Sequence, residues 1–271
     1  MRKGRVHLPV SPSCNIQCKF CKRSFNQTEQ RPGVTGQLLP PEQAAQLVDK
    51  ALALCPEITV AGIAGPGDTL ATPHALETFR RIHERHPGLI NCLSTNGLLL
   101  ERFALDIWDA GVRTVTVTVN AVDPEILVHI CSGIVLDGKH YEGLEAARLL
   151  IAAQKRGIWK MAALGAVIKI NTVLIPGIND KHISEIARTV AELGASIINI
   201  IPLIPQHELS HINTPDCAEL NEARQAAEEF LPVFRHCQHC RADACGIPGL
   251  SDLSDLLYGN EQRVQETFSH G

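Results

Sequence analysis

The sequence predicts an α/β fold: a partial (β/α)6 TIM-like barrel with cysteine-bearing extensions at its N- and C-terminal ends. Three observations lead there. Six β-branched or apolar runs alternate with segments whose apolar residues recur every three to four positions. The runs are apolar throughout rather than alternating, as strands are when both faces of a parallel sheet are covered. A loop with three cysteines directly follows the first run, and barrels of this kind place their chemistry at the carboxyl ends of the strands.

Taken in order, strands are expected over 6–10, 58–63, 89–94, 114–120, 166–174 and 196–203. Helices are expected over 41–54, 73–85, 101–110, 141–156 and 183–193, with a last one over 218–230. Pro41 suits a first helical position, and Gly194 suits the residue after a helix end. Six strand–helix units joined by right-handed crossovers make a parallel sheet, whereas eight would close a full barrel, so one side stays open. Residues 1–205 form the barrel. Residues 206–271 add a helix and a cysteine-rich extension packed on it, in a single structural unit.

The bulk properties describe a soluble enzyme. A chain of 271 residues with 45% hydrophobic residues fills a substantial core, and a net charge of −4 leaves no electrostatic footprint for nucleic acid. Short basic clusters, Arg2, Lys3 and Arg5, then Lys19, Lys22 and Arg23, flank the cysteine loop and read as solvated faces or as sites for an acidic partner. No apolar h-region of a secretory signal precedes the first strand, and no apolar stretch approaches the ~20 residues that span a bilayer. A cytoplasmic protein is expected, with no membrane partner. Ten cysteines in that compartment point to metal or redox chemistry rather than disulfides.

Cys14, Cys18 and Cys21 stand as C-x3-C-x2-C. Three thiolates hold three irons of a [4Fe-4S] cube and leave the fourth iron open, unlike the runs that fill every position of a ferredoxin cluster. Zinc is the alternative, although zinc sites ordinarily complete four ligands from paired elements. The spacing resembles the radical S-adenosylmethionine (SAM) superfamily, in which the open iron chelates SAM, and Phe20 matches its aromatic residue before the third cysteine. The fold is then expected to be of the radical SAM type, with Cys14, Cys18 and Cys21 both metal ligands and catalytic.

Other strand ends read as a SAM pocket. Gly65, Gly67 and Asp68 lie in a GPGD turn after the second strand, where glycine admits close backbone approach and a carboxylate suits the SAM ammonium. This element resembles the superfamily's GGE motif; a plain glycine-rich turn is the alternative. Asn96 ends the third strand, Thr118 and Asn120 end the fourth, and Ile170 and Asn171 lie on the fifth. The polar side chains suit the ribose and carboxylate, and Ile170 the adenine.

A second constellation, HCQHCRADACG, places Cys237, Cys240 and Cys245 together. Zinc or a disulfide is the alternative to an auxiliary iron–sulfur site. RVHLPV, CNIQCKFC, RPGV, AGPGD, STNGL, VNAVDP, IPGIND and HCQHCRADA recur in this order in the NifB family of radical SAM proteins, which act in nitrogenase cofactor biosynthesis. The chain resembles the stand-alone form over about residues 5–249. The resemblance implies coupling of two [4Fe-4S] substrate clusters, with insertion of a carbon from a SAM methyl group and of a sulfur, to give an eight-iron precursor. It implies that Cys237 and Cys240 hold one substrate cluster and that His7 serves the other. It also implies as partners an iron–sulfur cluster donor or scaffold, a cofactor carrier or nitrogenase maturation protein, and a low-potential electron donor.

The chain departs from that pattern. It lacks an upstream His-Pro-Cys segment, a cysteine within 24–27, and one at position 121, where it has Ala121. The second substrate cluster is left with His7, and Cys131, Cys217 and Cys245 are candidates to compensate. Cys131 is expected to close a short apolar helix and Cys217 to precede a helix. Cys55 and Cys92 read as small buried hydrophobes. Asp123, Glu125, His129, Glu208 and Asp243 are acid–base candidates or ordinary surface ion pairs. Two other functions compete: a different radical SAM reaction with an auxiliary cluster, on a peptide or small molecule, and a non-catalytic iron–sulfur scaffold.

Overall fold

Strand β1 (Gly4–His7) sits between β2 (Ile58–Ile63) and β7 (Cys245–Gly246), and beyond β2 follow β3 (Ile90–Thr95), β4 (Val112–Thr118), β5 (Val167–Leu174) and β6 (Ile197–Pro202). The structure, a computed structural model, describes residues 3–26, 28–235 and 240–259. Strands β1 to β6 are all parallel and form a curled half-barrel; β7 pairs antiparallel with β1, Val6 opposite Cys245. The order within β1 to β6 is that of the chain, as successive right-handed crossovers require.

The covering helices are α1 (Pro41–Leu54), α2 (His74–Arg85), α3 (Ala104–Asp109), α4 (Gly143–Ala163), α5 (Ile183–Glu192) and α6 (Cys217–Glu228). Proline at the start of α1 costs no hydrogen bond there, and Asp216 caps α6 by accepting from the backbone N–H of Ala218 and Glu219. Helix α4 runs seven residues past the expected end at 156. Gly157 stays helical because Leu100 packs against it, where a Cβ would lie 2.7 Å from the Leu100 side chain. Between sheet and helices lies the main core, with Val6, Ala61, Leu93, Val115, Val117, Ile168, Ile170, Ile198 and Phe79 all fully buried. No described helix is long and apolar enough to cross a membrane.

One feature the apolar runs do not announce is a hairpin, Cys131–Leu136 with Lys139–Glu142, whose first strand also pairs antiparallel with Ile16–Cys18 of the cysteine loop. Cys131 therefore begins a strand instead of closing a helix, the preceding helix being one turn, Pro124–Leu127. Asp137 and Gly138 both adopt positive φ (53° and 73°), the signature of a two-residue hairpin turn, and that Asp-Gly pair was the available sequence signal.

Candidate functional site: a cysteine loop clamped at the strand ends

The loop bearing Cys14, Cys18 and Cys21 is held from two sides. The backbone N–H groups of Gly67 and Asp68 donate to the carbonyls of Ser11 and Ser13, both at 2.8 Å. On the other side Cys18 stands opposite Cys131 in the antiparallel register, and Lys19 N–H donates to Ile130 O (2.8 Å). Gly67 presses so closely on the loop that a Cβ there would fall 2.0 Å from the Ser13 carbonyl oxygen. The GPGD turn thus works as a backbone clamp on the cysteine loop.

Asp68 fixes the next layer. Its buried carboxylate accepts from Thr95 Oγ1 (2.9 and 3.1 Å), the backbone N–H of Asn96 (2.6 Å) and that of Leu70 (2.9 Å). Asn96 in turn donates through Nδ2 to Asn15 Oδ1 (2.7 Å) and to Cys14 Sγ (3.8 Å). Gln154 of α4, which sequence reasoning passed over, donates to the Asn96 and Thr118 carbonyls (2.7 and 2.9 Å) and ties β3, β4 and the helix together. Its polar character at a buried helical position was the available signal. Asn120 Oδ1 accepts from Val173 N–H, and Asn179 of the IPGIND segment donates to the Asn120 and Val173 carbonyls.

Burial and mutual repulsion set the electrostatics of Cys14 and Cys18. Burial pushes the Cys14 thiol up to about 11, against the opposing field of Arg23. Burial raises Cys18 well above its ordinary value too, reinforced by Cys131, Cys21 and Cys14. Arg23 lies within the field of all three thiols of the triad and of Asp68. Among the described residues no three ligating side chains converge closely enough to grip a single ion. Three soft sulfur donors on one loop with a shared cation are a donor set that fits three irons of a [4Fe-4S] cluster.

Strand alternation decides which neighbours face this loop's lumen. Thr118, Asn171 and Asn199 stand side by side in the register, and Asn199 Nδ2 donates to Asn171 Oδ1 (3.1 Å). Ile170 faces the opposite way. It is fully buried between Val117 and Ile198 under the helices, so it belongs to the core and does not reach an adenine in the lumen. Phe20 packs half-buried against the smaller apolar cluster that contains Cys14 and Cys131.

At the C-terminal constellation, Cys237 lies outside the described residues. Cys240 accepts a hydrogen bond from the Arg5 guanidinium at 3.0 Å, and His7 Nδ1 is 3.1 Å from the Arg241 carbonyl oxygen, so β1 brings both to the same end. Cys240 also lines a cavity of about 530 Å³ with Arg5, Arg241 and Asp252. Arg241 and Asp243 form a buried ion pair that anchors the segment: Arg241 donates to the Asn26 and Glu29 carbonyls, and Asp243 accepts from Gly36 N–H and Thr35 Oγ1. Cys245 is a correction to the expected ligand set. It sits opposite Val6 on the core face of the sheet and is fully buried there, with burial pushing its thiol up to about 11. Cys217 is exposed in the first turn of α6. Asp123 caps the turn after β4, Glu208 accepts from Ser132, and Asp243 is the anchor just described, so none of these three faces the triad as a free acid.

His182 closes the loop after β4 by accepting the Val122 N–H at Nε2 (3.1 Å), which requires an unprotonated Nε2. Burial lowers its pKa from 6.5, so the folded chain holds the neutral form to lower pH than the unfolded chain does. This contribution is fully present above pH 6.5 and is lost as pH falls through the lowered value. Thermal melts from pH 7.5 to 5 are expected to show a decline that His182→Gln flattens; parallel declines would show that other groups set the slope.

Residues 8–190 match the radical SAM superfamily model. The FeMo cofactor biosynthesis protein NifB of Methanocaldococcus infernus is 50% identical over 246 residues, covering 90% of this chain and 81% of the relative. The chain belongs to the NifB family. NifB of Klebsiella pneumoniae is 44% identical over 256 residues, 92% of this chain but 55% of that longer relative. Among solved structures, a radical SAM methyltransferase from Sphaerobacter thermophilus superposes with a TM-score of 0.61 at 19% identity, covering 86% of this chain and 65% of that one, which shows the shared fold. Membership of NifB makes this a radical SAM enzyme of FeMo cofactor biosynthesis, a family that implies a [4Fe-4S] cluster and SAM.

Proposed function

We propose that this enzyme fuses two [4Fe-4S] substrate clusters and inserts a SAM-derived carbide and a sulfur, giving the eight-iron precursor of the nitrogenase cofactor. The observation that carries the proposal is that β1 and the loop that follows it gather metal-ligand residues from distant parts of the chain. The clamped triad stands at the strand ends, and His7 and Cys240 are brought to one end of β1. The NifB relatives over nine-tenths of the chain support the same reading.

Cys14, Cys18 and Cys21 would hold the first cluster, which when bound supplies SAM with the electron for reductive cleavage to a 5′-deoxyadenosyl radical. Asn96 holds Cys14 in place through its amide N–H, and Arg23 offsets the charge that thiolates gather on the loop. Phe20, Thr118 and Asn171 would border SAM. Gly65, Gly67, Asp68 and Asn120 act behind them by positioning, because the Asp68 acceptors and the Asn120 amide oxygen are already engaged by internal donors. Cys240, with Cys237, would hold one substrate cluster, and His7 the other. His7 donates Nδ1–H to a carbonyl, which leaves Nε2 as the ligating lone pair, the usual arrangement for a metal-bound imidazole.

The partners follow from the chemistry. A cluster donor or scaffold delivers the substrates, a low-potential donor supplies electrons, and a carrier or nitrogenase maturation protein takes the product. The test is anaerobic reconstitution with iron and sulfide, then dithionite and SAM. We expect about twelve irons per chain, as three cubes require, with S-adenosylhomocysteine and 5′-deoxyadenosine both released. Formation of 5′-deoxyadenosine alone, with about four irons, would leave a radical SAM enzyme with a different substrate. No SAM cleavage would point to a scaffold.

A further inference from the structure

The apolar run around Cys92 suggests a core hydrophobe, but the register places it on the other face. His7 stands beside Gly62 in adjacent parallel strands, and Gly62 beside Cys92, so the three form one row across β1, β2 and β3. Their chain neighbours Val6, Ala61, Ile63 and Leu93 point the opposite way and are fully buried under the helices. The row that includes Cys92 therefore faces the lumen, and Cys92 retains partial exposure.

Gly62 contributes no side chain, and His7 uses the space. A Cβ at Gly62 would stand 3.0 Å from His7 Cδ2 and 3.4 Å from Nε2. The distal edge of the imidazole thus lies over Gly62, one strand nearer Cys92. Its Nδ1 faces the Arg241 carbonyl, which only accepts, so Nδ1 carries the proton and Nε2 keeps a lone pair. Lys169 projects from the same lumenal face, in register with Thr116 and through it with Ser94, and its ammonium lies within electrostatic reach of both His7 and Cys92. A thiol and an imidazole lone pair in one row, with a compensating cation one row along on the same face, are a ligand set for a soft-metal cluster.

We propose that Cys92 is the second protein ligand, with His7, of the lumenal substrate cluster. This rests on the proposed cluster-fusion reading. It also answers a gap in the chain, which carries Ala121 and no cysteine over 24–27, while Cys131 faces the triad, Cys217 is exposed at the start of α6 and Cys245 lies in the core. On ligation the Cys92 thiol gives its proton to solvent and its sulfur displaces an exogenous ligand from iron, with no electron transferred.

The test compares wild type, Cys92→Ala, Cys92→Ser, His7→Ala and the His7→Ala/Cys92→Ala double variant after anaerobic reconstitution. Each is read by iron per chain, EPR of the reduced clusters and 5′-deoxyadenosine released from SAM. Cys92→Ala and His7→Ala are each expected to lose about four irons, the double variant no more, and the EPR signal of the triad's own cluster to remain in every variant. Cys92→Ser, which keeps the volume and offers a harder ligand, is expected to retain fold and to displace the EPR signal or lower the iron count. Loss of iron from His7→Ala, with both Cys92 variants matching wild type in count and spectrum, overturns the role of Cys92 and leaves the cluster-fusion reading intact. A wild type that binds only about four irons, all lost with the triad, overturns that reading and the Cys92 proposal with it.

Discussion

Gly67→Ala is expected to unseat the cysteine loop and to leave the chain unable to retain its first cluster. The added methyl would lie 2.0 Å from the Ser13 carbonyl oxygen and 2.5 Å from its carbon, with the Ser11 carbonyl oxygen at 2.9 Å. These are backbone atoms, so no rotamer change relieves the contact. The loop must move, breaking the 2.8 Å bonds from the N–H groups of Gly67 and Asp68 to Ser11 and Ser13. Overpacking typically costs about 1–3 kcal/mol, and a contact with fixed backbone belongs at the upper end. About 3 kcal/mol in a chain of this size corresponds to a fall in Tm of roughly 6–12 °C. Cluster iron at the triad and SAM cleavage should fall together, well beyond what the stability loss explains. Gly88→Ala, where an added Cβ meets nothing within 4 Å, is the control. A Gly67→Ala protein with full iron and normal SAM cleavage would show that the clamp is dispensable.

Asp243→Ala should be the most destabilising single change in the C-terminal segment. The carboxylate accepts from Arg241 Nε and Nη2 (2.8 and 3.0 Å), Gly36 N–H (2.6 Å) and Thr35 Oγ1 (3.1 Å), with both charged side chains 6% exposed. Its removal leaves a guanidinium buried against the Asn26 and Glu29 carbonyls without a counter-charge. Breaking a buried pair by removing one partner costs about 3–5 kcal/mol. The change should therefore lower the denaturation midpoint clearly and strip iron from the site that includes Cys240, while 5′-deoxyadenosine formation at the triad persists. A loss under about 1 kcal/mol would mean that water replaces the carboxylate, as it does for surface pairs.

These two effects mark where sequence and structure part company. The barrel was legible because its strands are long apolar runs and its helices carry a clear period: 58–63 and 41–54 coincide with the observed Ile58–Ile63 and Pro41–Leu54. The triad was legible because its spacing lies within a single loop. The direction of individual side chains was not. On the third strand the core-facing Asn91 is polar and the lumenal Cys92 is not, so composition misassigns the faces there, and on the fifth the apolar and β-branched run masks the alternation of Lys169 and Asn171 with Ile168 and Ile170. That is why Ile170 reads as a pocket residue and Cys92 as core, while the register reverses both. The roles of GPGD and CRADA were hidden for a related reason. Each is a motif whose residues bind other parts of the same chain, and a string of letters shows the motif without its partner.

The first and seventh strands have a consequence for how the protein is made. Arg5 contacts Gly246, 241 positions later, and Cys240 from the same distant stretch sits beside it. Loop closure over such a separation is slow compared with local pairing, and chains emerge from the ribosome N-terminal end first. The triad and its GPGD clamp lie within about the first quarter of the sequence and the hairpin that holds the loop's other side within about the first half, so both can assemble while synthesis continues. The row that begins at β1 gains its edge strand only after translation has passed residue 246. Assembly is thereby ordered in time: the strands that carry the triad, His7 and Cys92 are made early, and the segment with Cys240 joins them last.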